Sequence, residues 1–249
     1  MTFRLDGRVA VVTGASRGIG QSIATHLAEA GAYVVINYSN DLSGAKKTLE
    51  LIERHGGEGE LLECDVSREE EVKNSFRELA TRLEHIDILV NNAGVAIAKP
   101  FVLTKKADFD LVFDTNVGGL VSCTRACIAG MVKRRWGRVL NISSVVADRP
   151  QAGLLAYAGT KGAINAMTRT LACEYAAYGI NVNAIAPGLI DTAMADALPE
   201  TVRDQVLANT PLGRIGQPSE IGATALFLCS DEAAYVTGQV IGVGGGMHM

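Results

Sequence analysis

Tyr157 and Lys161 stand four residues apart in the run YAGTK. On a helix this spacing puts both side chains on one face, close enough to interact. A free phenol has a pKa of about 10 and is a poor acid or base at neutral pH. A neighbouring ammonium favours the phenolate and lowers that value. The pair is therefore a device for moving a proton on or off a hydroxyl or carbonyl near pH 7. Ser144, thirteen residues upstream, adds a third hydroxyl-chemistry group. With six tyrosines in the chain the spacing also arises by chance on ordinary surface helices, so its context has to decide.

The context begins with elements able to position such groups. Short β-branched runs alternate with helical stretches from end to end. The strand candidates are residues 9–13, 33–37, 60–65, 86–91, 138–143, 181–186 and 239–243. Most read as continuous apolar runs, as parallel strands covered on both faces do. Between them, Ile19, Ile23, Leu27 and Ala30, then Val72, Phe76, Leu79 and Leu83, recur at helical spacing. Gly31 and Gly56–Gly57 are stop signals for the first two helices. Strand–helix alternation throughout predicts one α/β domain over residues 1–249, a doubly wound parallel sheet of the Rossmann type. The connection from Gly188 to Pro218 follows a strand end, and its residues 189–217 suit a mobile lid.

Composition narrows the function. The chain has 249 residues, 48% apolar and 20% charged, with a net charge of −4. No basic stripe for nucleic acid appears, since the cationic clusters at Lys46–Lys47 and Lys133–Arg135 are short. No apolar stretch reaches the roughly 18 residues of a membrane span. The N-terminus is polar and runs straight into a strand, without a signal peptide. Five scattered cysteines lack metal-binding spacing and read as reduced, packed thiols. These features predict a soluble, cytoplasmic protein with no nucleic-acid or membrane partner.

A nucleotide site is suggested at the first strand–helix turn. Gly14, Gly18 and Gly20 in TGASRGIG allow a tight turn and close approach of a pyrophosphate to a helix N-terminus. The same glycines also suit a plain strand–helix corner. Asp65–Val66, at the third strand's end, would receive an adenine or cap the next helix. Asn91–Gly94 (NNAG) leaves the fourth strand at the carboxyl edge, where ligands sit in such sheets.

At this point the chain resembles the short-chain dehydrogenase/reductase family. The motifs Thr13–Gly20, Asp65–Val66, Asn91–Gly94, Asn116, Ser144, Tyr157–Lys161 and Pro187–Gly188 occur in that family's order. Within it the chain is most similar to β-ketoacyl-acyl-carrier-protein reductases, through residues 131–138, 142–146, 229–238 and 244–249. The resemblance implies a seven-stranded parallel sheet and a homotetramer. It implies that Tyr157 exchanges the proton with the substrate oxygen, that Ser144 orients that oxygen, and that Lys161 lowers the phenol pKa and holds the nicotinamide ribose. Asn116 would hold a relay water; read alone it is a helix-kinking amide, as Ser144 alone is a turn residue. The cofactor would lie on Gly14, Ser16, Arg17, Gly18, Ile19, Gly20, Asp65, Val66, Asn92, Ala93 and Gly94, with Pro187, Gly188, Ile190 and Thr192 at the nicotinamide. No His/Cys/carboxylate cluster of metal-ligand type appears, and the phenol–ammonium pair would serve in place of a Lewis acid.

Cofactor choice falls to the second strand's end. Asn37, Tyr38 and Ser39 stand where an acid would grip the ribose 2′-hydroxyl of NAD. With no carboxylate there, and Arg17 able to pair with a 2′-phosphate, NADP(H) is expected. Arg17 would otherwise be a solvated turn residue. The substrate expected is a β-ketoacyl thioester on coenzyme A or an acyl carrier protein. Arg135 matches a carrier-docking arginine, whereas the second such position is Tyr178, and the loop after NNAG is the apolar stretch 95–98. These departures keep open a general alcohol, sugar or ketone dehydrogenase. A non-catalytic nucleotide-binding regulator is disfavoured by the intact Ser144, Tyr157 and Lys161.

Overall fold

Seven runs rich in Val, Ile and Leu pair side by side, all parallel, in the order β3-β2-β1-β4-β5-β6-β7. The computed structural model describes residues 3–196 and 200–247. The strands are β1 (Val9–Val12), β2 (Tyr33–Tyr38), β3 (Glu58–Glu63), β4 (Ile88–Asn91), β5 (Gly137–Ile142), β6 (Ile180–Pro187) and β7 (Val240–Val243). Each overlaps the run expected for it. The helices are α1 (Gly18–Glu29), α2 (Leu42–Arg54), α3 (Glu69–Arg82), α4 (Lys106–Phe113), α5 (Gly119–Arg134), α6 (Leu155–Tyr175), α7 (Ala193–Asp196), α8 (Glu200–Ala208) and α9 (Pro218–Cys229). The fold is the doubly wound α/β arrangement predicted from the alternation of elements.

Side chains on a strand alternate between faces, and here both faces are covered. Ala10 and Val12 pack with Ile23 and Leu27 of α1, Ile52 of α2 and Leu228 of α9. Val9 and Val11 pack on the other side with Val72, Phe76 and Leu79 of α3 and Cys123, Cys127 and Met131 of α5. The stop signals work as expected: Gly31 and Gly56 take φ of 101° and 78° just beyond α1 and α2, a left-handed backbone that glycine adopts without penalty. The cysteines are all unpaired, but Cys173 is exposed rather than packed. No helix among the described residues is long and apolar enough to cross a membrane.

The connection expected to form a lid carries α7 and α8. Its neck is closed by a bridge between Ile190 and Gly216, where the Asp191 amide donates to the Gly216 carbonyl at 2.9 Å and the Gly216 amide to Leu189 at 3.0 Å. Residues 197–199 of that segment lie outside the described residues, as do 248–249 of the C-terminal motif.

The two ends of the sheet are held differently. At the amino edge Asp87 is fully buried and accepts the Val9 amide at 3.0 Å. Around it stand Arg134 at 3.4 Å, Arg8 at 3.8 Å and His85 Nε2 at 3.1 Å. Arg8 also lies over the Trp136 ring, 3.6 Å from its centroid. This carboxylate ties β1, β4 and the end of α5 together. Asp87→Ala should therefore cost about 3 kcal/mol of unfolding free energy, the low end for breaking a buried ion pair, because the arginines left behind still reach water. Urea denaturation checks this, and a loss below about 1 kcal/mol would show that the cluster adds nothing beyond packing.

Candidate active site

The carboxyl edge gathers most of the chemistry. The order of the sheet reverses between β1 and β4, and a crevice opens outside the strand ends at such a switch point. The turns leaving these two strands are locked together by Thr13. Its hydroxyl donates to the Val90 carbonyl at 3.2 Å and accepts the Asn92 and Ala93 amides, each at 3.0 Å. Asn92 returns the contact, donating from Nδ2 to the Thr13 and Gly14 carbonyls at 2.9 and 3.0 Å. The backbones then come so close that a Cβ on Gly14 would lie 2.9 Å from the Ala93 Cα, and one on Gly20 2.4 Å from the Gly14 carbonyl oxygen. Only glycine fits. Thr13 opens the Gly-rich motif, but its role as the clamp was not read from the sequence.

This turn delivers α1 with its first amides pointing into the crevice. Arg17, at the N-cap, makes no side-chain cap, so those donors await an anion, as a pyrophosphate cradle requires. Gly18 faces the lid, where a Cβ would lie 3.2 Å from the Thr192 methyl. Ile19 packs on the core, while Arg17 is exposed. Gly188 donates to Val243 at 3.0 Å and abuts Gly244, which sets the chain leaving Pro187 beside the C-terminal turn; Ile190 is buried in the core beneath it. These residues fit a dinucleotide.

The end of β2 differs from expectation. Asn37 is buried, and its amide is engaged: Oδ1 accepts the Gly14 amide at 3.3 Å, and Nδ2 donates to the Leu62 and Cys64 carbonyls at 3.3 and 2.9 Å. It braces the Gly-rich turn against β3 rather than facing a ribose. The Tyr38 ring is packed as well, its hydroxyl donating to Glu63 at 3.3 Å. Of the three, Ser39 is exposed. A carboxylate that the sequence reading passed over does stand here. Asp41 accepts the Gly44 amide at 2.9 Å at the start of α2. That amide, then the Ser16 hydroxyl, then the charges of Arg17 and Lys47 hold its pKa below the usual carboxylate range. Asp65 is engaged in a turn ahead of α3, accepting from the amide and hydroxyl of Ser67 at 3.0 and 2.7 Å, while the N-cap of α3 is Arg68 and has no side-chain cap. Val66 is buried against Gly119.

The catalytic candidates come together at the ends of β5 and α6. Lys161 is buried and donates from Nζ to the Ile142 carbonyl at 2.7 Å. Ser144 lies two residues beyond β5, near enough to Tyr157 for its hydroxyl to lower the phenol's pKa. Lys161 Nζ lies 5.3 Å from the Tyr157 ring centre. Burial pulls the Lys161 ammonium down to about 8. Burial also pushes the Tyr157 phenol up, and the Ser144 bond draws it part of the way back. Desolvation is the largest influence on the phenol, with Ser144 acting against it, while the Lys161 ammonium is itself aimed at the Ile142 carbonyl. What the chain provides is a neutral phenol beside a second hydroxyl, the form that gives a proton.

Asn116 lies in a π turn, residues 114–118, that links α4 to α5. Such turns occur as single interruptions of α-helices at functional sites. Its Oδ1 accepts the Val95 amide at 2.8 Å, and its Nδ2 donates to the Val95 carbonyl at 3.0 Å and the Thr160 hydroxyl at 3.1 Å. Asn91 serves the sheet, donating to Asn141 at 2.9 Å and Thr124 at 3.1 Å, whereas Gly94 abuts the Asn116 amide. Arg135 sits apart from all of these. It ends α5 with φ of 53° and donates to the Ala177 carbonyl at 3.0 Å, beside Tyr178. That is the amino edge, a strand length of about 20 Å from the Ser144 end of β5.

Comparison with known proteins gives the family. A family profile described as "Enoyl-(Acyl carrier protein) reductase" matches residues 14–248. The chain is 45% identical to the 3-oxoacyl-[acyl-carrier-protein] reductase of Pseudomonas aeruginosa over 245 residues, which cover 98% of this chain and 99% of that one. Among solved structures, a putative short-chain alcohol dehydrogenase from Sinorhizobium meliloti superposes with a TM-score of 0.94 at 40% identity, covering 99% and 98% of the two chains. A putative 2-deoxy-D-gluconate 3-dehydrogenase from Agrobacterium tumefaciens with bound NADP gives 0.91 at 37% identity, also covering 99% and 98%. The chain belongs to the short-chain dehydrogenase/reductase family and is an NAD(P)-dependent oxidoreductase.

The pH profile should follow Tyr157 and Lys161. Carbonyl reduction needs the neutral phenol and the charged ammonium, so its kcat/KM should fall as pH rises through the Lys161 value of about 8. Alcohol oxidation needs the phenolate and should rise only at higher pH, because burial pushes the phenol above its ordinary value of about 10. Tyr157→Phe should lower kcat by about 10²–10⁴-fold in both directions while leaving cofactor affinity nearly unchanged. Steady-state rates with fluorescence titration of the cofactor test both statements, and near-normal turnover by Tyr157→Phe would remove the phenol from the mechanism.

Proposed function

We propose that the protein reduces β-ketoacyl thioesters to 3-hydroxyacyl thioesters with NADPH. The observation that carries the reading is the neighbouring Ser144 and Tyr157 hydroxyls beside buried Lys161, in a chain alike from end to end to a curated 3-oxoacyl reductase. The ketone oxygen is received between the two hydroxyls. Ser144 donates a hydrogen bond that orients it, and Tyr157 passes its proton to it as negative charge develops. Lys161 supplies the neighbouring positive charge and, by family likeness, a donor to the nicotinamide ribose. When bound, the nicotinamide supplies the hydride, and the protein supplies position and electrostatics. Gly14, Ser16, Gly18 and Gly20 hold the pyrophosphate end, and Pro187, Gly188, Ile190 and Thr192 the nicotinamide end.

The preference for NADPH rests on exposed Arg17 and Ser39, with Asn37 withdrawn into the sheet. Asp41, close to Arg17, competes for that guanidinium and sets the scale of the preference. Residues 189–217, gripped at the 190–216 neck, act as the substrate lid of a single domain. The unpaired cysteines suit a reducing, cytoplasmic compartment. A homotetramer is supported by large apolar side chains left exposed on one side of the site, Phe101, Val102, Leu103, Leu111 and Leu155, and by the small residues along α6.

An acyl carrier protein is one source of the thioester. Arg135, on the opposite edge from Tyr157, does not by itself bring a carrier to the site of the same chain, so coenzyme A thioesters carry the first test. A second reading, a general ketone or sugar dehydrogenase, is favoured by the apolar loop 95–98 and by Tyr178 in place of a docking arginine. Assay of acetoacetyl-coenzyme A against simple ketones and keto-sugars separates the two, and no thioester reduction beside rapid ketone reduction would choose the second. Arg17→Ala should weaken NADPH about tenfold, the low end for a charge-assisted hydrogen bond of about 1.5–3 kcal/mol, and spare NADH. Comparison of kcat/KM for both cofactors decides this; equal or better use of NADH by the parent enzyme would show that Arg17 does not read the phosphate.

A further inference from the structure

Thr160, the residue before Lys161, is fully buried and has no part in the chemistry described so far. Its hydroxyl donates to the Tyr157 carbonyl at 2.7 Å and accepts from Asn116 Nδ2 at 3.1 Å. A hydroxyl has one proton to give. With that proton committed to Tyr157, the oxygen is left as an acceptor, and the amide facing it must present its NH2 group. Asn116 is thereby turned so that Oδ1 meets the Val95 amide and Nδ2 the Val95 carbonyl. One continuous set of hydrogen bonds thus runs from the first turn of α6, through the π turn, to the loop leaving β4. A threonine hydroxyl bonded back to a helix carbonyl also bends the helix locally, here in the turn that carries Tyr157.

We infer that Thr160 is a positioning residue: it sets Tyr157 against the loop at Gly94–Val95, so that the phenol meets a carbonyl held between them. It does not hold the cofactor, because Lys161 has its own anchor on the Ile142 carbonyl. This rests on the assignment of Tyr157 as proton donor. Filling of the space is not enough in this account, since the hydroxyl's two bonds fix the amide and the turn. Valine, which keeps the shape, should fail where serine succeeds.

The test compares Thr160→Val and Thr160→Ser with the parent enzyme and Tyr157→Phe, using acetoacetyl-coenzyme A and NADPH. Thr160→Val should lower kcat about ten- to hundredfold, as misplacement of a reacting group does, with the NADPH Kd unchanged within about twofold. The ionisation in its kcat/KM profile should move by about half a pH unit or more. Thr160→Ser should return kcat to within about threefold of the parent. A valine enzyme with parental kcat and pH profile overturns the inference, as does a serine enzyme no better than valine. If Thr160→Val does not fold, Thr160→Ala takes its place against serine, with thermal melting confirming that both are folded. Full activity in Tyr157→Phe would instead sink the proton-donor reading and the inference with it, whereas loss in Tyr157→Phe beside an unaffected valine enzyme rejects the inference alone.

Discussion

A lysine ammonium buried at the end of a sheet is costly unless something receives it. Here the Ile142 carbonyl, the last of β5, receives Lys161 at 2.7 Å, and much of the site follows from that single bond. It fixes α6 across the strand end, which places Tyr157 one helical turn back and Ser144 two residues beyond the carbonyl. Ser143, between them, donates to Asn165 at 2.6 Å with its Oγ 3.3 Å from the Lys161 carbonyl, so the helix is held again one turn beyond the lysine. The same burial that makes the ammonium costly brings its pKa to about 8 and keeps the phenol neutral. Structure and reactivity have one cause.

The two edges of the sheet divide the work. At the amino edge a buried carboxylate gathers arginines and closes the bottom of β1 and β4. At the carboxyl edge the binding is finer, made of hydroxyls, amides and glycine backbones that meet without a buried ion pair among β1, β4 and their turns. A site that must receive an anionic cofactor benefits from free helix amides, and a strong local ion pair would compete with them. Asp41 feels the charge of Arg17 at the end of β2 and enters such competition.

Much of this was legible in the sequence. Apolar runs over residues 9–13 and 33–37 located strands because parallel strands are buried on both faces, and Gly31 and Gly56 ended helices because only they take the left-handed backbone cheaply. Tyr157, Lys161 and Ser144 were singled out by type and spacing, and the structure brings them to one place. Three features resisted. Asn37 was placed near the ribose by counting along the strand, but a one-residue step along a strand reverses a side chain, and its amide points into the sheet. The pKa of Tyr157 was judged from its charged neighbour, whereas burial, which spacing does not reveal, is the larger effect. Arg135 matched by sequence position, yet the connection from α5 to β5 lies at the edge away from the site.

Thr13 and Thr160 make the same point from the other direction. Each stands inside a recognised motif and carries no charge, so neither announces chemistry. Each is nevertheless buried with its hydroxyl used as donor and acceptor at once. Such a group joins segments that are distant in sequence, and its geometry is set only when they are folded together. Spacing identifies groups that act on a substrate because their chemistry is local to the residue. It is silent on groups that act by orienting others, whose contribution exists only in the packed structure. On the proposed mechanism the division falls between Tyr157, which moves the proton, and the hydroxyl three residues on, which sets where the phenol stands.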